Sequence, residues 1–143
     1  MKRYSMLASL AMMGTLMADH AQAHHSFAMF DSTKCFTMDG VVRKVEWNYP
    51  HVWLWLTPIN ATADVLWGFE GAAPQALLTR GLNKKTLAIG TKISLTYRPM
   101  KTGEQAGQLG TVTLPDGKQA VVQTLSKNCT AVPVSAAPIP TAG

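Results

Sequence analysis

The chain has 143 residues, a formal net charge of +5 and 15% charged residues, a size and composition that suit one small domain. Its lysines and arginines are scattered, with no run longer than two. Because a nucleic-acid binder usually concentrates these residues on one face, we expect no nucleic-acid partner.

The first 23 residues have the features of a secretory signal peptide. Lys2 and Arg3 precede an apolar run, residues 4–17, that is too short to span a bilayer. Ala21-Gln22-Ala23 then supplies small residues at the two positions that a signal peptidase reads. We therefore predict a signal peptide over residues 1–23 and no membrane span after cleavage, which would make His24 the N-terminal residue.

The mature chain is predicted to begin with an extended arm, residues 26–34, followed by a long strand over residues 36–47. In that strand the apolar positions change phase near Arg43 and Lys44, which predicts a β-bulge that bends the sheet. The next predicted strand, residues 51–57, alternates between an aliphatic face and an aromatic face. The two faces are Val52, Leu54 and Leu56 against His51, Trp53 and Trp55.

The second half of the chain predicts one helix among further strands. The helix covers residues 73–80, because Pro74 suits its first turn and Gly81 suits its C-terminal end. Pro115-Asp116-Gly117 is a turn signal between two short strands. Val65, Trp67 and Phe69 mark one further predicted strand, and Ile93, Leu95 and Tyr97 mark another. The last two predicted strands are residues 111–114 and 120–122.

This element order predicts an all-β fold with one short helix, built as a small, curled antiparallel barrel. The oligonucleotide/oligosaccharide-binding (OB) type of barrel is favoured because it places a helix between its third and fourth strands. A small β-sandwich is the alternative. We expect a single β-barrel domain over residues 24–129 and a flexible tail rich in proline and alanine over residues 130–143.

The two cysteines, Cys35 and Cys129, lie near opposite ends of the predicted domain. Because oxidising compartments favour disulfides, we predict that they pair. In the chain-entropy model such a bridge stabilises the fold by roughly 4–5 kcal/mol. The alternative, a pair of soft metal ligands, lacks a close Cys-x-x-Cys spacing.

The histidines are the candidate metal ligands. A terminal His24 would offer its α-amine and a ring nitrogen to one ion, and a third imidazole would complete a set of nitrogens suited to Cu(II). This arrangement resembles the copper histidine brace of exported copper carriers and copper oxygenases. His51 is the expected partner, and His25 could also bind. Copper is accordingly the expected cofactor. The alternative is no cofactor, with His24 and His25 as solvated terminal residues and His51 bonded to the backbone of a turn.

Tryptophans form the second candidate site. Trp53 and Trp55 share one face of their predicted strand. Trp47 comes directly before the turn, residues 48–50, that leads into that strand. Exposed aromatic rings on a barrel strand can stack on sugars, bases or a partner's side chains. The alternative to a metal-binding protein is therefore a module that binds a protein or small ligand through these rings, unless they belong to the core.

We expect no enzyme, and hydrolysis in particular lacks the residue patterns of common hydrolytic sites. A copper redox catalyst is the third hypothesis, after the metal-binding protein and the interaction module. No serine lies in a Gly-x-Ser-x-Gly elbow, and the sequence contains no glycine-rich phosphate loop. Carboxylates are few, and no spacing pairs them, although Glu46 and Glu70 both fall on predicted strands.

An ordered set of short motifs over residues 24–122 resembles a family of small exported bacterial proteins catalogued only as a domain of unknown function. The motifs are His24-His25-Ser26-Phe27, Phe30-Asp31, Gly40-x-Val42, Trp47-x-x-Pro50-His51, Phe69-Glu70-Gly71, Leu78-x-x-Gly81 and Val112-Thr113-Leu114-Pro115-Asp116-Gly117. The resemblance implies a periplasmic protein of a Gram-negative bacterium, whose partner is an unknown periplasmic protein or small ligand, and it implies no activity. Members usually have Asn-Pro-His where this chain has Tyr49-Pro50-His51, and the two cysteines are not part of the family pattern.

Overall fold

The structure, a computed structural model, describes residues 27–61, 65–125 and 131–133. Within these ranges, one sheet contains seven strands: β1 (Cys35–Glu46), β2 (Trp53–Pro58), β3 (Trp67–Glu70), β4 (Lys92–Pro99), β5 (Ala106–Thr113), β6 (Gln119–Val121) and β7 (Ala131–Pro133). A short helix, α1 (Pro74–Leu78), lies between β3 and β4, and a 3-10 turn (Phe27–Met29) precedes β1. None of the helices in these ranges is long and apolar enough to cross a membrane.

The first five strands form a closed ring of pairings. The strand order is β2-β3-β5-β4-β1, and β1 also pairs with β2. The pairing of β3 with β5 is parallel, while the other four pairings in the ring are antiparallel. The predicted all-β fold with one short helix is therefore confirmed, and the described strands form one ring-like sheet rather than two packed sheets.

The curl of the ring depends on the predicted bulge in β1. Pairing with β2 shifts register between Val42 and Lys44, at the point where the apolar phase of the sequence changes. Gly40 permits a close approach of the two strands, since a Cβ atom there would lie 3.1 Å from the Leu56 Cβ and 3.1 Å from the Thr57 carbonyl oxygen. Strand β1 can therefore pair with β4 along its first half and with β2 along its second half.

The core fills the inside of the ring with alternate residues of each strand. Tyr97 and Phe69 are its two largest fully buried side chains, and their ring centroids are 5.0 Å apart in an edge-to-face arrangement. Val52, Leu54 and Leu56 are buried as predicted, so the other face of β2 points away from the core.

Several element boundaries differ from the predicted ones. The helix is shorter than residues 73–80, and of its two leucines Leu77 is buried whereas Leu78 is 49% exposed. Strand β5 begins at Ala106, five residues before the predicted strand. It therefore includes Gly107 and Gly110, residues whose local preference is for turns. Ala131–Pro133, within the segment predicted to be a tail, forms β7 and pairs in parallel with β1.

Candidate functional site

A histidine and a buried acid form the most distinctive polar contact on the outer face of the ring. His51 lies two residues before β2, and Glu70 is the last residue of β3. The His51 Nδ1 atom contacts the Glu70 Oε1 atom. The Glu70 side chain is 7% exposed and that of His51 is 31% exposed, so the acid is buried while the imidazole reaches solvent.

The backbone holds these two residues in place from both sides. The Val52 amide donates to the Ala72 carbonyl at 3.0 Å, and the Gly71 amide donates to the Val52 carbonyl at 2.8 Å. A Cβ atom at Gly71 would lie 3.2 Å from the Val52 carbonyl oxygen, so a glycine suits this close approach. These two bonds fix the residues next to His51 and Glu70, which sets the distance between their side chains.

Glu70 also begins a row of polar residues across neighbouring strands. Glu70 is the register partner of Gln108 on β5, and Gln108 is the register partner of Arg98 on β4. Gln108 is 2% exposed, and its Oε1 atom accepts a hydrogen bond from the Arg98 Nη1 atom at 3.2 Å. The arginine thus bonds to the amide, and His51 is the side chain that contacts the Glu70 carboxylate.

The chemistry of the contact assigns the proton between the two side chains. An ionised carboxylate only accepts hydrogen bonds, so Nδ1 of His51 must be the donor. In a neutral imidazole the other nitrogen, Nε2, is then an acceptor with a lone pair. Metal-binding histidines commonly donate their second ring nitrogen to a carboxylate in this way. The pair is therefore suited to present Nε2 to a metal ion.

The other predicted metal ligands, His24 and His25, lie outside the described residues. Among the residues that the structure describes, three or more histidine, cysteine, aspartate or glutamate side chains nowhere lie close enough together to hold a metal ion. The described chain begins beside the end of β4, where Phe30 bridges Met100 and the Asp31 amide donates to the Pro99 carbonyl at 2.9 Å. A site at His51 therefore needs donors from beyond these residues.

The three tryptophans of the alternative site have different surroundings. Trp47 is partly buried and packs against the hydrophobic core. Trp53 and Trp55 are half-buried on the outer face, with ring centroids 5.9 Å apart and planes 26° from parallel. Trp55 also lies over Gly68 of β3, where a Cβ atom would be 2.7 Å from its ring. Much of the aromatic surface of this strand is therefore already covered.

The predicted disulfide joins a described residue to one outside the described ranges. Cys35 is 6% exposed at the start of β1, and its register partner on β7 is Ala131. Cys129 comes two residues before Ala131, a chain distance of at most about 7 Å. The Cys35–Cys129 pair stays a prediction, which the mass of the protein alkylated without reduction would test.

Two strand carboxylates noted in the sequence are not brought into contact. Trp53 on β2 pairs with Glu46 on one neighbouring strand, β1, and with Glu70 on the other, β3. The backbones of the two glutamates are therefore two strand spacings, about 10 Å, apart. The Lys44 ammonium, which bonds to the Glu46 carboxylate, lowers the pKa of that acid. The two acids therefore do not form a pair for acid–base chemistry.

Sequence reasoning singled out His51 but missed its partner. Glu70 stood in the Phe69-Glu70-Gly71 motif and on a predicted strand, yet no spacing linked it to a residue 19 positions earlier. The sequence pattern that could have indicated this partner is a glutamate directly after an apolar residue in a buried strand. A carboxylate buried in this way needs a hydrogen-bond donor from another part of the chain.

Fold and site together define a small all-β protein with a ring-like sheet and a buried acid–histidine pair on its outer face. A model of a family of unknown function, DUF6152, matches residues 13–109, and the chain belongs to that family. This confirms the expected membership of an uncharacterised family. No curated protein and no solved structure matches the chain.

Proposed function

We propose that this protein is an exported, periplasmic Cu(II)-binding protein that carries or sequesters the ion without catalysis. The ligands are the α-amine and ring of His24 with the ring of His51, and His25 is a further candidate. The observation that supports this proposal is the contact between His51 and the buried Glu70, which leaves one nitrogen of a partly exposed imidazole available.

The ligand chemistry favours copper over other first-row metals. Amine and imidazole nitrogens in a tetragonal arrangement suit Cu(II), which also stands at the top of the affinity order for divalent ions. The unperturbed pKa of an α-amine is about 7.7–8.0, so a metal displaces its proton at small cost near neutral pH. Neither sulfur ligands nor a cluster of carboxylates is needed.

The described start of the chain limits how far His24 can lie from the ring. His24 is three residues before Phe27, and three residues of extended chain span at most about 11 Å. Phe27 itself belongs to the turn whose last residue, Met29, accepts a hydrogen bond from the Lys101 amide at 2.9 Å. The proposal therefore requires the ring of His51 to lie within that reach of Phe27.

The test is native mass spectrometry of the protein exported to its own periplasm, before and after one equivalent of Cu(II). We expect a mass that begins at His24 and one copper that resists a competing chelator. Two variants remove single parts of the site: H51A deletes the third imidazole, and H24A deletes the terminal ring that would chelate together with the amine. Q75A, on the exposed side of α1, is the matched control.

Each result has a defined consequence. Retention of copper by the parent and Q75A, with loss of the tight site in H51A and in H24A, would support the proposal. A different N-terminus, or equal retention by H51A, would refute it. In that case the interaction module remains, and W53A would be the variant to test against ligands that stack on aromatic rings.

A further inference from the structure

The role of Glu70 follows from its burial and from the partners around it. Its carboxylate is 7% exposed, and a buried charge is tolerated only with hydrogen-bonding partners. Arg98, two register steps away, donates to Gln108 instead. The ring of His51 is thus the side chain that compensates the carboxylate.

This contact determines which nitrogen of His51 can still bind a ligand. Donation from Nδ1 to the Glu70 Oε1 atom selects the tautomer with the proton on Nδ1, so Nε2 keeps its lone pair. The two ring nitrogens are separated by the Cε1 atom, and the His51 side chain is 31% exposed. Nε2 is therefore the ring nitrogen left to accept a ligand.

The surrounding structure keeps this orientation rigid. The bonds of Val52 to Ala72 and Gly71 clamp the two segments together, and Trp53 is the register partner of Glu70 on the neighbouring strand. The Gln123 Nε2 atom also lies 3.5 Å from the Gly71 carbonyl oxygen, so a segment from beyond β6 reaches the same place. Glu70 thus has a fixed backbone beneath a ring that it can orient.

We infer that Glu70 is a positioning residue, which holds His51 as the Nδ1-protonated tautomer and presents Nε2 to the incoming metal ion. This inference rests on the proposed copper site for its function, but the tautomer itself exists without metal. Loss of such a supporting carboxylate typically lowers metal affinity about 10–100-fold.

The first measurement is made on the metal-free, mature protein. Long-range ¹H–¹⁵N spectra distinguish a protonated ring nitrogen from an unprotonated one, at a pH where the ring of His51 is neutral. We expect the Nδ1-protonated form in the parent protein and in D116N, which removes an exposed carboxylate on the turn before β6. In E70Q the amide can donate as well as accept, so the preference for that tautomer should weaken or invert.

The second measurement is the Cu(II) affinity of the same proteins against a competing chelator. We expect a loss of about 10–100-fold in E70Q, partial recovery in E70D and no change in D116N. Far-UV circular dichroism of each variant establishes that the fold is kept, and E70Q is chosen because it preserves the shape of the side chain.

The two measurements separate the inference from the proposed function. A parent protein with its proton on Nε2, or an E70Q variant with unchanged tautomer and copper affinity, would overturn the role of Glu70. The expected tautomer in a parent protein that binds no copper at His51 would overturn the copper site and leave Glu70 as the residue that orients the ring.

Discussion

The contact between Trp55 and Gly68 makes the substitution Gly68→Ala a sharp test of how the outer face of the sheet is packed. A Cβ atom at position 68 would lie 2.7, 2.9 and 3.0 Å from three carbons of the six-membered ring of Trp55. Carbon atoms pack at about 3.5–4.0 Å, so the ring would have to move by about 1 Å. Trp53 stacks against Trp55 on the same face of β2 and limits this movement. We therefore expect the free energy of unfolding to fall by about 1–3 kcal/mol.

The assay is urea denaturation followed by far-UV circular dichroism, since the variants change the tryptophan content. With a slope of about 1 kcal/mol per molar urea, the transition midpoint should fall by roughly 1–3 M. The matched control is the same substitution in a Trp55→Ala protein, where the ring is gone and Gly68→Ala should cost little. Costs that agree within about 0.5 kcal/mol in the two backgrounds would refute the packing described here.

Two further predictions concern the core. Burial raises the pKa of Tyr97 to about 12, so the stabilisation that depends on the neutral phenol is fully present below pH 10. It is lost as the pH rises through 12, which lowers the free energy of unfolding by about 2–3 kcal/mol. Alkaline denaturation of a Tyr97→Phe protein should lack this loss, and a curve identical to that of the parent protein would contradict the assignment. Leu54 is 1% exposed beside Phe69, so Leu54→Ala should lower the free energy of unfolding by about 2–5 kcal/mol, whereas Ile89→Ala, at a 75% exposed position, should change it by less than about 0.5 kcal/mol.

The parts of the fold that could be predicted are those recorded in local patterns. The phase change near Arg43 located the bulge of β1, and the alternation of β2 separated its buried face from its outer face. Gly81, with φ of +81°, ends the turn that follows α1, as its position after the apolar residues indicated. In each case one short segment carries the whole signal.

The parts that could not be predicted depend on residues far apart in sequence. Strand β5 contains Gly107 and Gly110, whose local preference is for turns. Those positions need glycine because of their neighbours: a Cβ atom at Gly107 would lie 2.5 Å from the Arg98 carbonyl oxygen, and one at Gly110 would lie 2.5 Å from the Leu125 Cδ1 atom. Close packing from β4 and from the segment after β6 therefore makes a strand out of a turn-like sequence.

The pairing of His51 with Glu70 is of the same kind, and it bears on why the two residues are present. A buried acid paired with a histidine contributes little net stability, because desolvation of the charge offsets the attraction, and an apolar pair of similar volume is often as good or better. The surrounding row already holds a buried amide, Gln108, bonded to Arg98, so the fold tolerates polar groups there without needing a charge at position 70. An apolar pair would remove the Nε2 atom of an imidazole that the acid orients. The proposed metal-binding role therefore gives a reason for the acid that folding stability alone does not give.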